Sequence, residues 1–423
     1  MAVQNKWFQN GKLNFAVGVE DTFIPSSAPG RRPIDEYAMT DHYSLGPTVD
    51  MDILRQSGAN QIRWGIPWYK VNPEKNVWRF DWLDKMIDGF NRLGIDVIVD
   101  LIHYGTPLWL DNSFLNHDFE KYAAEYAAMI ANRYKGRLSI FTPLNEPQLT
   151  VLYCGEFGYW PPFHTGADGY TAVLRNVCRG ILRMEKSIKD ENPDADIVNV
   201  EASFRYVGDT DAPEFKDVTR LLKARKFLVE DLCLGRVDQQ HELYRWLLQN
   251  GFTESDFAWF KEHKFTPDVM GVNYYPRNSS FEFCRGEHHM GGPLDTGPFR
   301  NDGVQGMKEV LEEFAHRYKL PVYLTETCWQ GDVSHRCQWL RESVQAIDEM
   351  RKEGTNVIGY SWWSLFDMFY WSYQDENRPL THYLAQMGLW DLQENDHNSY
   401  DRVRTEAADV YRELAQKYRD GLE

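Results

Sequence analysis

The chain has 423 residues, of which 63 are acidic and 46 are basic, so its formal net charge is -17. This surplus of negative charge argues against a phosphate-backbone partner, because nucleic-acid-binding proteins present a positive surface. The stretch Met1–Gly18 lacks a basic segment followed by an apolar one, and no apolar run approaches the roughly 18 residues that span a bilayer. We therefore expect a soluble protein without a nucleic-acid or membrane partner.

Six cysteines are spread along the chain without the close pairs that hold a structural zinc ion. Their wide spacing also does not suggest a disulfide framework, which is typical of small secreted domains. We expect reduced thiols, and this expectation fits a cytoplasmic protein.

Apolar, strand-like runs alternate with amphipathic stretches along the chain, a pattern typical of strand-helix units around a parallel sheet. The predicted strands are 14–19, 60–66, 97–103, 138–144, 196–202, 268–274, 321–325 and 356–363. Helical periodicity is clear at 79–93, 118–134, 170–190, 304–318, 336–353 and 404–418. Eight units predict an α/β protein with one (β/α)8 TIM barrel over residues 1–423, because no repeat or linker marks a second domain.

The connections between these elements differ in length on the two sides of the predicted barrel. Links from helices to strands are short, whereas links from strands to helices are long at 20–46, 145–168, 275–303 and 364–403. Active sites of such barrels are built from the loops after the strands, so the long loops predict the functional side. The stretch 280–302 is the least regular segment and is either a mobile lid or a long surface loop.

Glu146 and Glu326 each stand where a strand-like run ends, on the side of the long loops. A carboxylate at the end of a strand is held by a rigid element and faces the open rim. Two such carboxylates can therefore converge on one bond, as the acid and the nucleophile of a glycosidase do. For either glutamate alone, the competing interpretation is a solvated or ion-paired group.

The segments around these glutamates resemble the motifs of glycoside hydrolase family 1. Asn145-Glu146-Pro147 after Thr142 is similar to TxNEP, and Leu324-Thr325-Glu326 is similar to the start of [IV]TENG. Four further segments are similar to motifs of the family. IRWGIPW at 62–68 is similar to RFSISW, and IHYGTP at 102–107 is similar to HWDxP. GVNYY at 271–275 is similar to GINYY, and GYSWWSLFDMF at 359–369 is similar to GYxxWSLxDNF. These matches follow the order of the family and cover nearly the whole chain.

The resemblance implies a retaining exo-β-glycosidase that forms a covalent glycosyl-enzyme intermediate and needs no cofactor or metal. Glu326 would be the nucleophile, ionised at neutral pH, and Glu146 the acid/base, with a pKa raised by enclosure and by the charge of Glu326. Arg63 and Tyr275 would donate hydrogen bonds to Glu326 and favour its charged form. Asn145 would bind the 2-hydroxyl of the sugar.

The same resemblance implies residues that bind a small carbohydrate or glycoside. Trp363 would stack on the sugar, His103 would bond a ring hydroxyl, and Trp371 is assigned by its position in the motif. Glu20, a carboxylate at the end of the first strand, is expected to bind two adjacent hydroxyls. Three further residues that follow strands are expected to line the leaving-group side: Trp109, Trp160 and Trp329.

Several positions depart from the family pattern. Tyr370, assigned to the sugar-binding set, stands where the family has the glutamate that grips the hydroxyls on carbons 4 and 6 of glucose. A phenol does not accept two hydroxyl protons, so we expect a sugar that lacks or alters this end, such as a 6-deoxy glycoside. Tyr104 replaces the tryptophan after the strand-three histidine, and Thr327 and Cys328 replace Asn-Gly after the nucleophile.

Three other interpretations of the sequence remain open. One is an endo-acting glycanase of the same clan, in which the long loops form an open cleft. Another is a carbohydrate-binding barrel without turnover, although a binding protein has no use for a proton donor opposite a nucleophile. The third is a metal-dependent barrel enzyme with His288 and His289 as ligands, but adjacent histidines in a glycine-rich loop are more often solvated.

Overall fold

The computed structural model of the protein describes residues 6–285, 299–397 and 399–420. In them, eight parallel strands close into a barrel: β1 (Asn14–Gly18), β2 (Gln61–Gly65), β3 (Asp96–Ile102), β4 (Ile140–Leu144), β5 (Asp196–Ala202), β6 (Val269–Asn273), β7 (Val322–Thr327) and β8 (Val357–Trp362). The strands follow one another around the barrel in chain order, and β1 pairs with both β2 and β8. The predicted TIM barrel is confirmed, since each predicted strand overlaps one barrel strand.

Helices surround the barrel. Those that the sequence predicts lie at Asp81–Leu93, Phe119–Arg133, Gly166–Glu191, Gly303–Tyr318, Val333–Lys352 and Glu406–Asp420. Others that the sequence analysis does not include lie at Glu36–Met39, His42–Leu45, Met51–Ser57, Trp68–Val71, Pro147–Val151, Lys216–Arg225, Leu228–Cys233, Tyr244–Gln249 and Glu254–His263. These additional helices have at most ten residues each, so few positions carry the helical period in the sequence.

Short elements order the long loops that follow the strands. Paired segments form small two-stranded sheets: Phe23–Ile24 with Ile34–Asp35, Arg205–Gly208 with Ser280–Phe283, Met368–Phe369 with Leu384–Ala385, and Trp390–Glu394 with Tyr400–Arg404. Single turns of π-helix or 3-10 helix in these loops lie at Gly46–Asp50, Ser113–Leu115, Leu152–Glu156, Trp371–Gln374 and Leu380–Tyr383, and one more, Trp7–Gln9, precedes β1. The loops on this side of the barrel are therefore folded structures that can position side chains.

Side chains of the strands alternate between the barrel interior and the surrounding helices. An apolar cluster with a member from most barrel strands includes Ile98 on β3 and Val269 on β6. Asp100 lies two residues after Ile98 and Asn273 lies four residues after Val269, so both face the interior nearer the carboxyl ends of the strands. The interior thus changes from apolar to polar toward the rim where the long loops begin.

Part of the irregular stretch 280–302 lies outside the described residues. The stretch 280–302 begins with the strand Ser280–Phe283, but 286–298, including His288 and His289, is not among the residues that the structure describes. Within the described part of the chain, no helix has both the length and the apolar character that a bilayer-crossing segment needs.

A buried carboxylate connects the segments that follow β8. Asp367 accepts hydrogen bonds from three backbone N–H groups, those of Met387 at 2.8 Å, Gly388 at 2.9 Å and Leu392 at 2.9 Å. The side chain is almost fully buried, so water does not replace these bonds. One aspartate therefore fixes the part of the chain that carries several rim residues described below.

We expect Asp367→Ala to lower the free energy of unfolding by at least about 3 kcal/mol, because three buried N–H groups lose their acceptor at about 1–3 kcal/mol each. Urea denaturation followed by circular dichroism measures this change. Asp211→Ala, at an exposed position, is the matched control and should leave the midpoint unchanged. Equal midpoints for the two variants would contradict the anchoring role of Asp367.

Candidate active site

A cavity of about 230 Å³ lies at the carboxyl ends of the barrel strands. It is lined by Glu20, His103, Tyr104, Glu146, Tyr275, Asn278, Glu326, Gln330, Trp363, Met368, Tyr370, Trp371 and Met387. Of the catalytic, supporting and sugar-binding residues predicted from the sequence, only Arg63 and Asn145 are outside this lining. Both are fully buried and contact residues of the cavity wall. Residues far apart in the sequence therefore meet at one site.

Glu326 lies on β7, where the pairing with β6 shifts in register between Leu324 and Glu326. Arg63 donates a hydrogen bond from Nη1 to Oε1 of Glu326, and the hydroxyl of Tyr275 donates to Oε2 at 2.6 Å. These are the two donors that the sequence analysis expects. Each oxygen of this carboxylate is thus held by a group from another strand of the barrel or from the loop after it.

Burial of Glu326 opposes its expected ionisation. Burial raises the pKa of Glu326 to about 8, and the charge of Glu146 raises it as well, whereas Arg63, His103 and the Tyr275 hydroxyl lower it. The predicted donors are present, but the loss of water around the carboxylate outweighs them. The two glutamates interact closely, so the protons they bind belong to the pair rather than to one residue.

Glu146 has a left-handed backbone conformation, with φ of 45°, immediately before the helix Pro147–Val151. Its backbone N–H donates to the carbonyl of Val200 on β5 at 3.0 Å. The carboxylate accepts from the Tyr104 hydroxyl at Oε2 and from Nδ2 of Asn273 at Oε1, the latter at 2.9 Å. Donors from the loop after β3 and from the end of β6 therefore orient the carboxylate of Glu146.

Neither of the two donors to Glu146 is predicted from the sequence as a residue of the site. Asn273 belongs to GVNYY, the same motif that indicates Tyr275, so its position was a signal for a role in the site. Tyr104 is recognised only as a departure from the family pattern. Neither residue type by itself indicates a contact with the carboxylate of Glu146, because that contact depends on how separate strands are placed.

Arg63 connects the two halves of the site. Its Nη2 donates to Oδ1 of Asn145 at 2.5 Å and lies 2.6 Å from Oδ2 of Asp100. Burial lowers the pKa of Arg63, but the carboxylates of Asp100, Glu326 and Asp21 raise it further above its ordinary value. The guanidinium is thus a permanent cation at the base of the cavity.

Asn145 contacts protein groups on both sides of its amide. Its Nδ2 donates to the Tyr104 hydroxyl at 2.9 Å and lies 3.0 Å from Nε2 of His103. Its Oδ1 accepts from Arg63. Asn145 therefore supports the residues around the glutamates, and its contact with a sugar hydroxyl stays a prediction.

His103 shares a hydrogen with a buried carboxylate. Its Nδ1 lies 2.7 Å from Oδ1 of Asp21 and 3.3 Å from Oδ2 of Asp100. Burial raises the pKa of Asp21 to about 7. Burial lowers the pKa of His103, but Asp21 and Asp100 raise it by more, so it lies well above its ordinary value.

Glu20, Asp21 and His103 are the one group in the described residues whose possible ligand atoms lie within 4.8 Å of one another. The Nδ1 of His103 is already hydrogen-bonded to Asp21. Glu20 accepts hydrogen bonds from the backbone and hydroxyl of Thr22 and from Nε1 of Trp363. Glu20 and His103 are thus engaged with neighbouring protein groups, and the absence of a metal stays a prediction.

The predicted sugar-binding aromatic residues form one side of the cavity. The Trp363 ring stacks on His103 at a centroid distance of 5.8 Å and donates from Nε1 to Glu20 at 2.7 Å. The Nε1 of Trp371 is buried and has no hydrogen-bond partner among the described residues, so it is available to a ligand. Tyr370 is 43% exposed and lies at the mouth of the cavity.

The three tryptophans expected on the leaving-group side are not part of the cavity lining. Trp109 donates from Nε1 to the carbonyl of Asn72, and Trp160, which is 1% exposed, donates to Gln374. Trp329 stacks on His335 at 5.5 Å. An indole that follows a strand packs between loops as readily as it faces a ligand, and the sequence position does not distinguish these roles.

Paired carboxylates in a cavity at the carboxyl ends of a closed (β/α)8 barrel define a glycoside hydrolase. The model of "Glycosyl hydrolase family 1" matches residues 7–419, and the chain belongs to this family.

Similar proteins agree with this assignment. "Beta-glucosidase 47" of Arabidopsis thaliana is 22% identical and the match covers 90% of this chain and 76% of that protein. The "Bifunctional beta-D-glucosidase/beta-D-fucosidase" of Bifidobacterium breve is 24% identical, with 96% and 97% covered. The structure of the "Family 1 b-glucosidase from Thermotoga maritima" superimposes with a TM-score of 0.78 at 18% identity, covering 98% of this chain and 99% of that one. The last similarity concerns the fold.

We expect Glu326→Gln to become more stable relative to the unchanged protein as pH rises. The carboxyl has a pKa of about 8 in the folded protein and about 4.3 unfolded, so folding favours its protonated form. The stability from this proton is present at low pH and is lost as pH rises toward 8, whereas glutamine does not titrate. The difference in the free energy of unfolding should grow by up to about 1 kcal/mol per pH unit.

Urea denaturation of both proteins at pH 5 and pH 8 measures this difference. Glu353→Gln, at an exposed position after the helix Val333–Lys352, is the control and should give the same difference at both pH values. A constant difference for Glu326→Gln would contradict the raised pKa.

Proposed function

We propose that the protein is a retaining exo-β-glycosidase in which Glu326 is the nucleophile and Glu146 is the acid/base. The observation that carries this proposal is the presence of both carboxylates in one cavity, each held by two protein donors. A non-catalytic carbohydrate-binding barrel has no need for two carboxylates that are fixed in this way.

In the first step, the ionised carboxylate of Glu326 attacks the anomeric carbon and forms an ester while the bond to the leaving group breaks. Glu146 gives its proton to the departing oxygen. The reacting enzyme is therefore the form in which the proton of the pair is on Glu146 and Arg63 and Tyr275 stabilise the charge on Glu326.

In the second step, Glu146 is ionised and takes a proton from water, whose oxygen attacks the anomeric carbon. The ester bond breaks and the carboxylate of Glu326 returns to its contacts with Arg63 and Tyr275. Two displacements at the same carbon leave the sugar with the β-configuration that it had in the substrate.

The size of the cavity supports exo-action over the endo-acting alternative. Its volume of about 230 Å³ is below the roughly 300–1,000 Å³ of sites for drug-sized ligands, so it accommodates about one sugar ring. Trp363 is the proposed stacking surface, His103 and Glu20 are proposed to face ring hydroxyls, and the free N–H of Trp371 is an additional donor. An endo-acting enzyme requires a longer open cleft.

The proposed sugar is one that is deoxygenated at carbon 6. Besides Glu20, Glu146 and Glu326, the described lining of the cavity contains no carboxylate. It includes two thioethers, Met368 and Met387, and it has no lysine or arginine that would pair with a phosphorylated sugar. The mouth of the cavity carries Tyr370 in place of a carboxylate, which suits a methyl group better than a hydroxymethyl group.

A cytoplasmic location is part of the proposal. Five buried cysteines carry free thiols, and this state is typical of proteins in reducing compartments: Cys154, Cys178, Cys233, Cys328 and Cys337. A small glycoside that reaches the cytoplasm is accordingly the proposed partner.

We expect Glu326→Ala to lower kcat/KM for every β-glycoside by more than about 10⁴-fold, because no ester can form. Glu146→Ala should retain activity on 2,4-dinitrophenyl glycosides, which leave without a proton, and added azide should yield the β-glycosyl azide. Nuclear magnetic resonance of the fresh product should show the β-anomer first. Glu353→Ala, with an exposed side chain, is the control for expression and folding. Equal residual activity in the two glutamate variants, or an α-anomeric first product, would contradict the assigned roles.

We expect Tyr370→Glu to raise the kcat/KM for a β-glucoside, relative to the matching 6-deoxy-β-glucoside, by about tenfold or more. A carboxylate at this position accepts hydrogen bonds from the hydroxymethyl group, and each bond of this kind contributes about 1.5–3 kcal/mol. A panel of nitrophenyl glycosides that also includes xylosides, uronides and 6-phosphoglycosides measures the preference.

Tyr159→Glu is the matched control, because Tyr159 is similarly exposed at 38% but lies outside the lining of the cavity. It should leave the ratio unchanged. If the ratio stays the same in Tyr370→Glu, Tyr370 does not read the far end of the sugar.

A further inference from the structure

Tyr104 follows His103 after β3, at the position where the family resemblance has a tryptophan. The side chain is 3% exposed, and its ring centroid lies 4.6 Å from His103, 5.0 Å from Trp160 and 5.5 Å from Trp371. These aromatic contacts fix the ring so that its hydroxyl reaches Oε2 of Glu146. Tryptophan carries no hydroxyl, so this contact is particular to the tyrosine.

The direction of this hydrogen bond follows from the groups behind it. Arg63 only donates, so its Nη2 requires Oδ1 of Asn145 as the acceptor and fixes the orientation of that amide. Nδ2 of Asn145 then donates to the oxygen of Tyr104 at 2.9 Å. The hydroxyl hydrogen of Tyr104 is consequently directed at Glu146.

Both oxygens of Glu146 accept a hydrogen bond from the protein. Tyr104 bonds Oε2 and Asn273 bonds Oε1, and hydrogen bonds of this kind favour the ionised carboxylate. Titratable groups of neighbouring elements also interact with Glu146 or lie beside it in the cavity: Glu20, His103, Tyr153, Glu201, Tyr275 and Glu326. Among the described residues, Tyr104 is the titratable side chain that donates to this carboxylate.

We propose that Tyr104 is a positioning residue that orients Glu146 and stabilises its ionised form, which makes the first chemical step depend on the acidity of the leaving group. The inference rests on the proposed role of Glu146 as the acid/base. A carboxylate that accepts two hydrogen bonds binds a proton less readily, so it is less ready to protonate a poor leaving group in the first step. Glycosides of acidic alcohols such as phenols, which need little proton transfer, are therefore the preferred class.

The test compares Tyr104→Phe with the unchanged enzyme on the methyl β-glycoside of the preferred sugar between pH 5 and pH 9. The value of kcat/KM at high pH depends on how readily Glu146 binds a proton, whichever carboxyl of the pair binds its proton first. Removal of the Tyr104 hydroxyl makes Glu146 bind a proton more readily. On the alkaline side, the ratio of the variant's kcat/KM to that of the unchanged enzyme should be about tenfold higher on the methyl glycoside than on a 2,4-dinitrophenyl glycoside at the same pH.

Two further tyrosines provide matched controls. Tyr275→Phe removes the hydroxyl that bonds Glu326, so its ratio should fall by a similar factor on the acidic side and stay flat on the alkaline side. Tyr153 packs 4.5 Å from Trp160, in the same aromatic group, but in the described residues its hydroxyl bonds neither glutamate. Tyr153→Phe should therefore give a flat ratio at every pH.

A change of leaving group separates proton donation from a general loss of structure. With a 2,4-dinitrophenyl glycoside, whose leaving group departs without a proton, the alkaline gain of Tyr104→Phe should disappear. Equal alkaline ratios on the two substrates would overturn the inference. If Tyr104→Phe does not fold, Tyr104→Trp removes the same hydroxyl with the residue of the family pattern and is judged by the same ratios.

The outcome also distinguishes this inference from the proposed function. If the unchanged enzyme cleaves no β-glycoside, or if Glu326→Ala remains active, the proposed function fails. If the unchanged enzyme is active and Glu326→Ala is not, equal alkaline ratios of Tyr104→Phe on the methyl and dinitrophenyl glycosides overturn the role of Tyr104 alone.

Discussion

The Arg63 guanidinium, fully buried on β2, contacts Glu326 through Nη1 and both Asn145 and Asp100 through Nη2. Removing such a cation from water costs several kcal/mol unless anions and acceptors surround it. Its partners are therefore held in fixed positions, and the order passes from Asn145 through Tyr104 to Glu146. The two carboxylates of the site belong to one connected network, so a change at either end alters the charge balance of the whole.

The fold was largely predictable because the strands of a closed parallel barrel are covered on both sides. Their sequences are apolar nearly throughout, and each predicted run overlaps a barrel strand. The longer outer helices have enough turns to show their period. The region 203–268 was harder, since its helices Lys216–Arg225, Leu228–Cys233, Tyr244–Gln249 and Glu254–His263 are short and their buried faces depend on neighbours in space.

The candidate site was predictable where a residue type at the end of a strand has few alternative roles, as for Glu146 and Glu326. It was less predictable where function depends on which partner a side chain meets. Asn145 could be placed beside Glu146 from the sequence, but its contacts with Arg63 and Tyr104 could not be predicted. The raised pKa of Glu326 was also beyond the sequence, because it reflects the depth of burial rather than the number of donors.

The indole N–H of Trp371 is buried at the cavity without an acceptor among the described residues. A buried donor without an acceptor costs about 1–3 kcal/mol. A ligand oxygen that accepts a hydrogen bond from this N–H removes that penalty. Part of the binding free energy of the ligand then comes from satisfying a donor that has no acceptor in the protein. Molecules of the same outline that lack this oxygen leave the donor desolvated, and discrimination against them requires no steric barrier.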